Sequence, residues 1–163
     1  MNENTEKLAA ESVGRMIEKN YRVAAAESCT GGLVAAALVG VPDASRVLDV
    51  SVVTYANEAK IAYAGVSEES LRLHGAVSRE VAEEMAAGIA RTAGAQIGLA
   101  TTGIAGPGGG TPEKPVGLVW FGIWFNGKVE SFSRHFAGME RNEVRRAAVE
   151  AILRRLTELL RET

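Results

Sequence analysis

Ala24-Ala25-Ala26 runs without a break into Glu27-Ser28-Cys29-Thr30-Gly31-Gly32, and an apolar stretch from Leu33 to Val39 follows. No other segment narrows the possible folds as much. Small apolar residues, a glycine pair and then helical periodicity describe a buried strand that stops at a tight turn from which a helix leaves. Such a junction presents unpaired backbone N–H groups at the positive end of a helix. Gly31 and Gly32 lack a Cβ, which lets a ligand approach the backbone closely. Two readings of the hydroxyls fit. Ser28 or Thr30 is the N-cap of the helix, or a hydroxyl here attacks a carbonyl while N–H groups near Thr30 to Gly32 hold the oxyanion.

The remaining pattern predicts what this strand and helix belong to. Thr5 to Lys19 reads as an amphipathic helix with Leu8, Val13, Met16 and Ile17 on one side, closed by Asn20. Arg22 to Ala26 is a short strand, and Leu33 to Val39 the next helix, stopped by Gly40 and Pro42. Arg46 to Tyr55 is β-branched and reads as a strand. Asn57 then caps a short helix to Tyr63, and Ser67 and Ser78 cap helices running to Leu73 and Thr92. Ala95 to Thr102 is an apolar strand, and Val116 to Phe125 and Lys128 to Phe136 are strands joined by Asn126-Gly127, a strong hairpin signal. Glu140 to Leu160 closes the chain as a long helix. Early alternation and a late antiparallel hairpin imply an α/β fold: a three-layer α/β/α sandwich with a mixed, mostly parallel sheet. One domain over residues 1–163 is expected, since no linker or repeat interrupts the pattern.

Charge and cysteine content bear on partners and compartment. A net charge of −2 gives no reason to expect nucleic-acid binding. The single Cys excludes an intrachain disulfide and fits a reducing compartment. The polar start Met1 to Lys7 has no apolar signal core behind it, and no apolar run approaches bilayer length. A cytoplasmic protein with no membrane partner is expected.

Chemistry is carried by a few residues. Lys60, at the third position of a helix capped by Asn57, is a cation where a capping box and the helix dipole favour an acid. Its pKa should be depressed there, as a general base requires; alternatively it points into solvent, partly offset by Glu58. His74 sits at a helix end and His135 in the hairpin, so a Ser-His-Asp triad has no support. Two His and one Cys show no metal-ligand spacing, and no metal or cofactor is expected. Cys29 rivals Ser28 as nucleophile, but a lone Cys beside a buried strand usually packs as a small hydrophobe, which favours Ser28. The Gly103 to Thr111 loop looks like a nucleotide cradle, yet it precedes a strand and lacks a Gly-Lys-Ser/Thr ending, so neither nucleotide fingerprint is met. Its length favours a role over a ligand. Arg141 and Arg145, four apart on one helix face, form a candidate phosphate fork, whereas Arg146 reads as solvated.

Glu27-Ser28-Cys29-Thr30-Gly31-Gly32, Thr54-Tyr55-Ala56-Asn57-Glu58-Ala59-Lys60, Gly75-Ala76-Val77-Ser78 and Thr102-Gly103-Ile104-Ala105-Gly106-Pro107-Gly108-Gly109 through Lys114-Pro115-Val116-Gly117, in this order, resemble the CinA carboxy-terminal domain family. That family is also known as nicotinamide-nucleotide amidohydrolase (PncC), and the resemblance covers nearly the whole chain in its stand-alone form. It implies hydrolysis of nicotinamide mononucleotide to nicotinate mononucleotide and ammonia by a Ser/Lys dyad, with Ser28 as nucleophile and Lys60 as base. Tyr55 and Thr102 would orient groups, and Arg141 would help hold the nucleotide, beside Thr30, Gly31, Gly32 and Gly103. A homodimer or larger homo-oligomer is expected. Asp43, Asp49-Val50 and Ala56 depart from residues common in relatives, and a shifted loop there would alter the pocket. Two other functions stay open: a non-catalytic nucleotide- or partner-binding domain, and an amidase acting on another small substrate.

Overall fold

A computed structural model describes residues 1–163. Its chain order is α1 (Glu3–Lys19), β1 (Val23–Glu27), α2 (Leu33–Val39), β2 (Leu48–Val53), α3 (Asn57–Ala64), α4 (Glu68–His74), α5 (Arg79–Ala93), β3 (Ile97–Gly103), β4 (Leu118–Phe125), β5 (Lys128–His135) and α6 (Arg141–Arg161). The strands form one sheet in the order β2-β1-β3-β4-β5. β1 pairs in parallel with both β2 and β3, while β4 is antiparallel to β3 and to β5. β4 alone therefore runs against the rest. The sheet is mixed and mostly parallel in direction, with the expected hairpin, whose turn places Asn126 at φ 49° and Gly127 at φ 89°.

Alternation along the strands assigns side chains to two cores. Val23, Ala25, Ile97, Leu99, Val119, Phe121 and Ile123 face α1, α2 and α6, where Met16, Leu38, Ile152, Leu153 and Leu156 complete a cluster of 24 buried residues. The opposite face carries Ala24, Ala26 and Ala100 beneath Val81, Met85 and Ile89 of α5. That second core is thin because helix and sheet nearly touch. A Cβ on Gly98 would lie 2.1 Å from the Ala86 carbonyl oxygen, and one on Gly122 2.1 Å from that of Ala82.

Several boundaries differ from the sequence expectation by one or two residues, among them both ends of β2. Residues Ala44–Arg46 form a 3-10 turn, so β2 starts at Leu48. It ends at Val53, leaving Thr54 and Tyr55 free to leave the sheet. The sheet order reverses direction at β1, with β2 on one side and β3 on the other. Ligands of open α/β sheets bind at such a switch, beyond the carboxyl ends of the strands.

Candidate active site

β1 delivers Ser28 at that end. The Ser28 N–H donates to the Thr101 carbonyl at 2.9 Å, and the Thr54 N–H donates to the Glu27 carbonyl at 2.8 Å, so the main chain stays tied to both neighbours as it leaves the sheet. Beyond it lies a cavity of about 280 Å³, lined by Ser28, Cys29, Lys60, Thr102, Arg141 and residues of the Gly103–Gly109 loop among others.

Lys60 enters this cavity from α3. Asn57 is the first helical residue and Ala56 the cap, which makes Lys60 the fourth residue of the helix and not the third. Lys60 and Ala64 lie four apart, share one face and are both buried. α3 crosses α5 so closely there that a Cβ on Gly88 would fall 1.8 Å from the Ala64 carbonyl oxygen. This covers the Lys60 side chain, which is 1% exposed. Its Nζ lies 3.2 Å from Ser28 Oγ, 2.8 Å from the Thr54 carbonyl oxygen and 3.4 Å from that of Tyr55. None of these partners is a carboxylate. Burial holds the Lys60 amine below the ordinary lysine range. The expected depression is therefore present, but its leading cause is desolvation and not the helix dipole invoked from sequence.

Two hydrogens of a neutral amine satisfy the two carbonyls, leaving the lone pair for the Ser28 hydroxyl proton. Cys29 also lines the cavity, but burial first, and then the Glu27 carboxylate, push its thiol up to about 12. Its thiol therefore stays protonated near neutral pH.

The turn after Ser28 is arranged differently from the sequence expectation. The Gly31 N–H donates to the Ser28 carbonyl at 3.1 Å, and the Gly32 N–H to Glu27 Oε2 at 3.0 Å. Thr30, Gly31 and Gly32 do not line the cavity. Within this turn the backbone N–H groups without an acceptor are those of Cys29 and Thr30. Thr30 is not a cap either, since its hydroxyl donates to Glu27 Oε2 at 2.6 Å.

Arg141 and Arg145 separate. Arg141 donates to the Gly106 carbonyl at 2.7 Å and to Tyr55 Oη at 2.8 Å, bridging two walls of the cavity. Arg145 instead clamps the outside of the turn, donating to the carbonyls of Cys29 at 3.0 Å and Thr30 at 3.1 Å. The two do not form one fork. Tyr55 is 60% exposed at the rim, and Thr102 donates its hydroxyl to the Ala76 carbonyl at 2.7 Å. Gly103 ends β3 in the cavity wall. His74 lies 3.8 Å from Glu80, and His135 Nε2 lies 3.1 Å from the Val116 carbonyl oxygen; neither borders Ser28. Arg146 lines a separate groove between β5 and α6.

Asp43 and Asp49 also lie away from the cavity. Asp43 adopts φ 65° in the turn before β2, a left-handed conformation in which glycine is at ease. Asp49 pairs with Arg22 at the amino end of β2. These departures change the opposite end of the sheet, so they give no support to an altered pocket. The sequence reading gave no role to Glu27 or to the Thr54 carbonyl. An acid ending a strand of otherwise small apolar residues was the signal for the former; nothing in the residue type signals the latter.

A three-layer α/β/α domain with a mixed sheet and a cavity at its strand ends defines the class of protein, and a buried lysine against a serine marks the cavity. Residues 5–160 match the CinA C-terminal domain, and the chain belongs to that family. It is 53% identical over 131 residues to a CinA-like protein of Kosmotoga olearia, covering 80% of this chain and 32% of the relative. The competence/damage inducible protein CihA from Agrobacterium tumefaciens superposes with a TM-score of 0.94 at 41% identity, covering 98% of this chain and 97% of that one. A CinA superfamily protein from Klebsiella pneumoniae gives 0.93 at 38% identity with full coverage of both chains (100% and 100%). The chain spans 31–36% of the length of the first curated relatives it matches. No helix is long and apolar enough to cross a membrane.

Proposed function

We propose that this domain is a serine amidohydrolase that converts nicotinamide mononucleotide to nicotinate mononucleotide and ammonia. The observation that carries the reading is the buried Lys60 amine, 3.2 Å from Ser28 Oγ with no carboxylate beside it. Neutral Lys60 takes the Ser28 proton as Oγ bonds to the carboxamide carbon. The carbonyl π electrons move to oxygen, and the free N–H group of Cys29, a residue that lines the cavity, is the donor available to that oxyanion. The oxyanion collapses, the C–N bond breaks, and Lys60 returns its proton to the leaving nitrogen, releasing ammonia. Water then adds to the acyl-enzyme with Lys60 again as base, freeing the carboxylate product and Ser28.

A nucleotide phosphate suits the far wall of the cavity. The N–H groups of Ala105, Gly106, Gly108 and Gly109 have no acceptor within the chain, and Arg141 stands beside them. Ammonia release by the purified protein supplied with nicotinamide mononucleotide tests the activity. Wild type should release it and Ser28→Ala should not, with unchanged folding; normal turnover by Ser28→Ala would remove Ser28 from the mechanism. A strong preference for free nicotinamide would remove the nucleotide subsite.

A further inference from the structure

Glu27 is the last residue of β1 and is 1% exposed. Its Oε2 accepts from the Thr30 hydroxyl at 2.6 Å, the Gly32 N–H at 3.0 Å and the Val34 N–H at 3.0 Å, while Oε1 accepts from the Ala35 N–H at 2.9 Å. Ser51 Oγ stands 3.5 Å from Oε1. The Thr30 hydroxyl spends its proton on the carboxylate, so Thr101, 2.7 Å away, is the donor to Thr30. α2 has glycine at its cap and no side-chain cap of its own. A carboxylate five residues before that cap does the work instead.

Gly32 sits at φ 95°, where a serine or aspartate would be strained, so α2 is not readily capped from position 32 itself. Capping by the residue bonded directly to Ser28 has a further consequence. The carboxylate closes the loop from Glu27 to Gly32 from inside, and the Arg145 guanidinium holds the Cys29 and Thr30 carbonyls from outside. Between these two anchors the peptide planes after Ser28 have little freedom. The first two N–H groups, of Cys29 and Thr30, stay unclaimed while those of Gly31 and Gly32 are consumed.

We infer that Glu27 is a positioning residue. Its buried carboxylate sets the turn so that Ser28 Oγ stays aligned on Lys60 Nζ and the Cys29 N–H group stays open to the oxyanion. This rests on the Ser28/Lys60 hydrolase reading above, and it adds a residue that touches neither substrate nor proton.

Glu27→Gln tests it, because the amide keeps the shape but turns an NH2 group toward some of the present donors. In Glu27→Gln, kcat for ammonia release from nicotinamide mononucleotide should fall about 100-fold, the scale of a misplacement near 1 Å, with KM little changed. Amide hydrogen exchange at Gly32, Val34 and Ala35 should accelerate in the same variant, a readout that needs no substrate. Thr30→Val, which removes one donor and keeps the β-branched shape, should lower kcat less; should Glu27→Gln not fold, this variant carries the test. A kcat near the wild-type value in the folded variant, a loss carried wholly by KM, or unchanged exchange would each overturn the inference. Ser28→Ala in the same assay keeps the two ideas apart. Normal turnover there defeats the hydrolase reading, whereas an inactive Ser28→Ala beside a fully active Glu27→Gln defeats only the role of Glu27.

Discussion

Helices α1 and α6 and the strand ends around Ser28 both bury polar atoms, and they do so in opposite ways. Between α1 and α6, Ser12 and Thr157 pair at 2.9 Å, and Thr157 donates onward to the Leu153 carbonyl at 2.7 Å. Asn2 caps α1 through the Thr5 N–H at 2.8 Å, and α6 opens with a reciprocal Glu140/Glu143 capping box. Around Ser28 the local rules are broken. α3 and α2 have no side-chain cap within their own cap residues, a lysine is buried without an acid, and the Thr54 hydroxyl is buried without a partner. The first region is built for stability. The second stores unfavourable choices at the place where the proposed chemistry needs a basic amine and an open N–H group.

Substitutions in the two regions should therefore separate activity from stability. After the complete loss expected of Ser28→Ala, the largest effect on activity belongs to Lys60→Arg: guanidinium cannot give up its proton near neutral pH, so kcat should fall about 10²–10⁴-fold. Steady-state ammonia release, beside a thermal melt showing the variant folded, measures it, and a rate near wild type would exclude Lys60 as base. The pH dependence follows from the same group. A base works when neutral, so kcat/KM should rise with pH along a limb below the ordinary lysine range, as burial lowers the Lys60 pKa. A limb at or above that range would mean that the amine is not desolvated in solution.

In the α1–α6 layer the largest effect should be on stability. Leu153 and Leu156 are fully buried, and truncating either to Ala should destabilise by about 2–5 kcal/mol, read by denaturant unfolding, with kcat per folded molecule unchanged. Gly122→Ala sharpens the comparison on the opposite face. Its new Cβ meets the Ala82 carbonyl oxygen at 2.1 Å, so α5 must shift, at roughly 1–3 kcal/mol. The smallest effect belongs to Glu11, which bridges Arg15 and Arg161 and so ties α1 to α6. Hydrogen bonding to Arg161, and then to Arg15, lowers its carboxyl to about 2. Its contribution is present above the unfolded carboxylate pKa and fades as pH falls toward 2. Glu11→Gln should therefore lower stability at pH 7 by no more than about 1 kcal/mol, because the pair is partly solvated, and the difference should vanish in acid. Melting curves at the two pH values check it.

The elements were legible in the sequence because each is specified locally. The Thr5–Lys19 periodicity, the Asn126-Gly127 turn and the Ser78 cap act over a few residues, and the observed helix and hairpin ends fall within one or two residues of the expected ones. Family membership was legible for a related reason: its motifs are contiguous strings at the strand ends. Ser28 and Lys60 could be singled out as reactive types, but their proximity could not, since 32 positions separate them and the pairing of β1 with β2, together with the packing of α3 on α5, closes the gap. The same packing supplied the true cause of the depressed lysine, where the sequence offered a helix dipole one position out of register.

What the chain determined by itself is the alternation that builds a three-layer sandwich and the small residues that let its layers approach. Tertiary structure decided which N–H groups remain open, that Arg145 braces the turn while Arg141 faces the cavity, and that Glu27 sits beneath the whole assembly. The physical reason is that burial and hydrogen-bond partnership are properties of pairs distant in sequence. A residue type states what it can donate or accept; only its neighbours in space decide whether that capacity is already used.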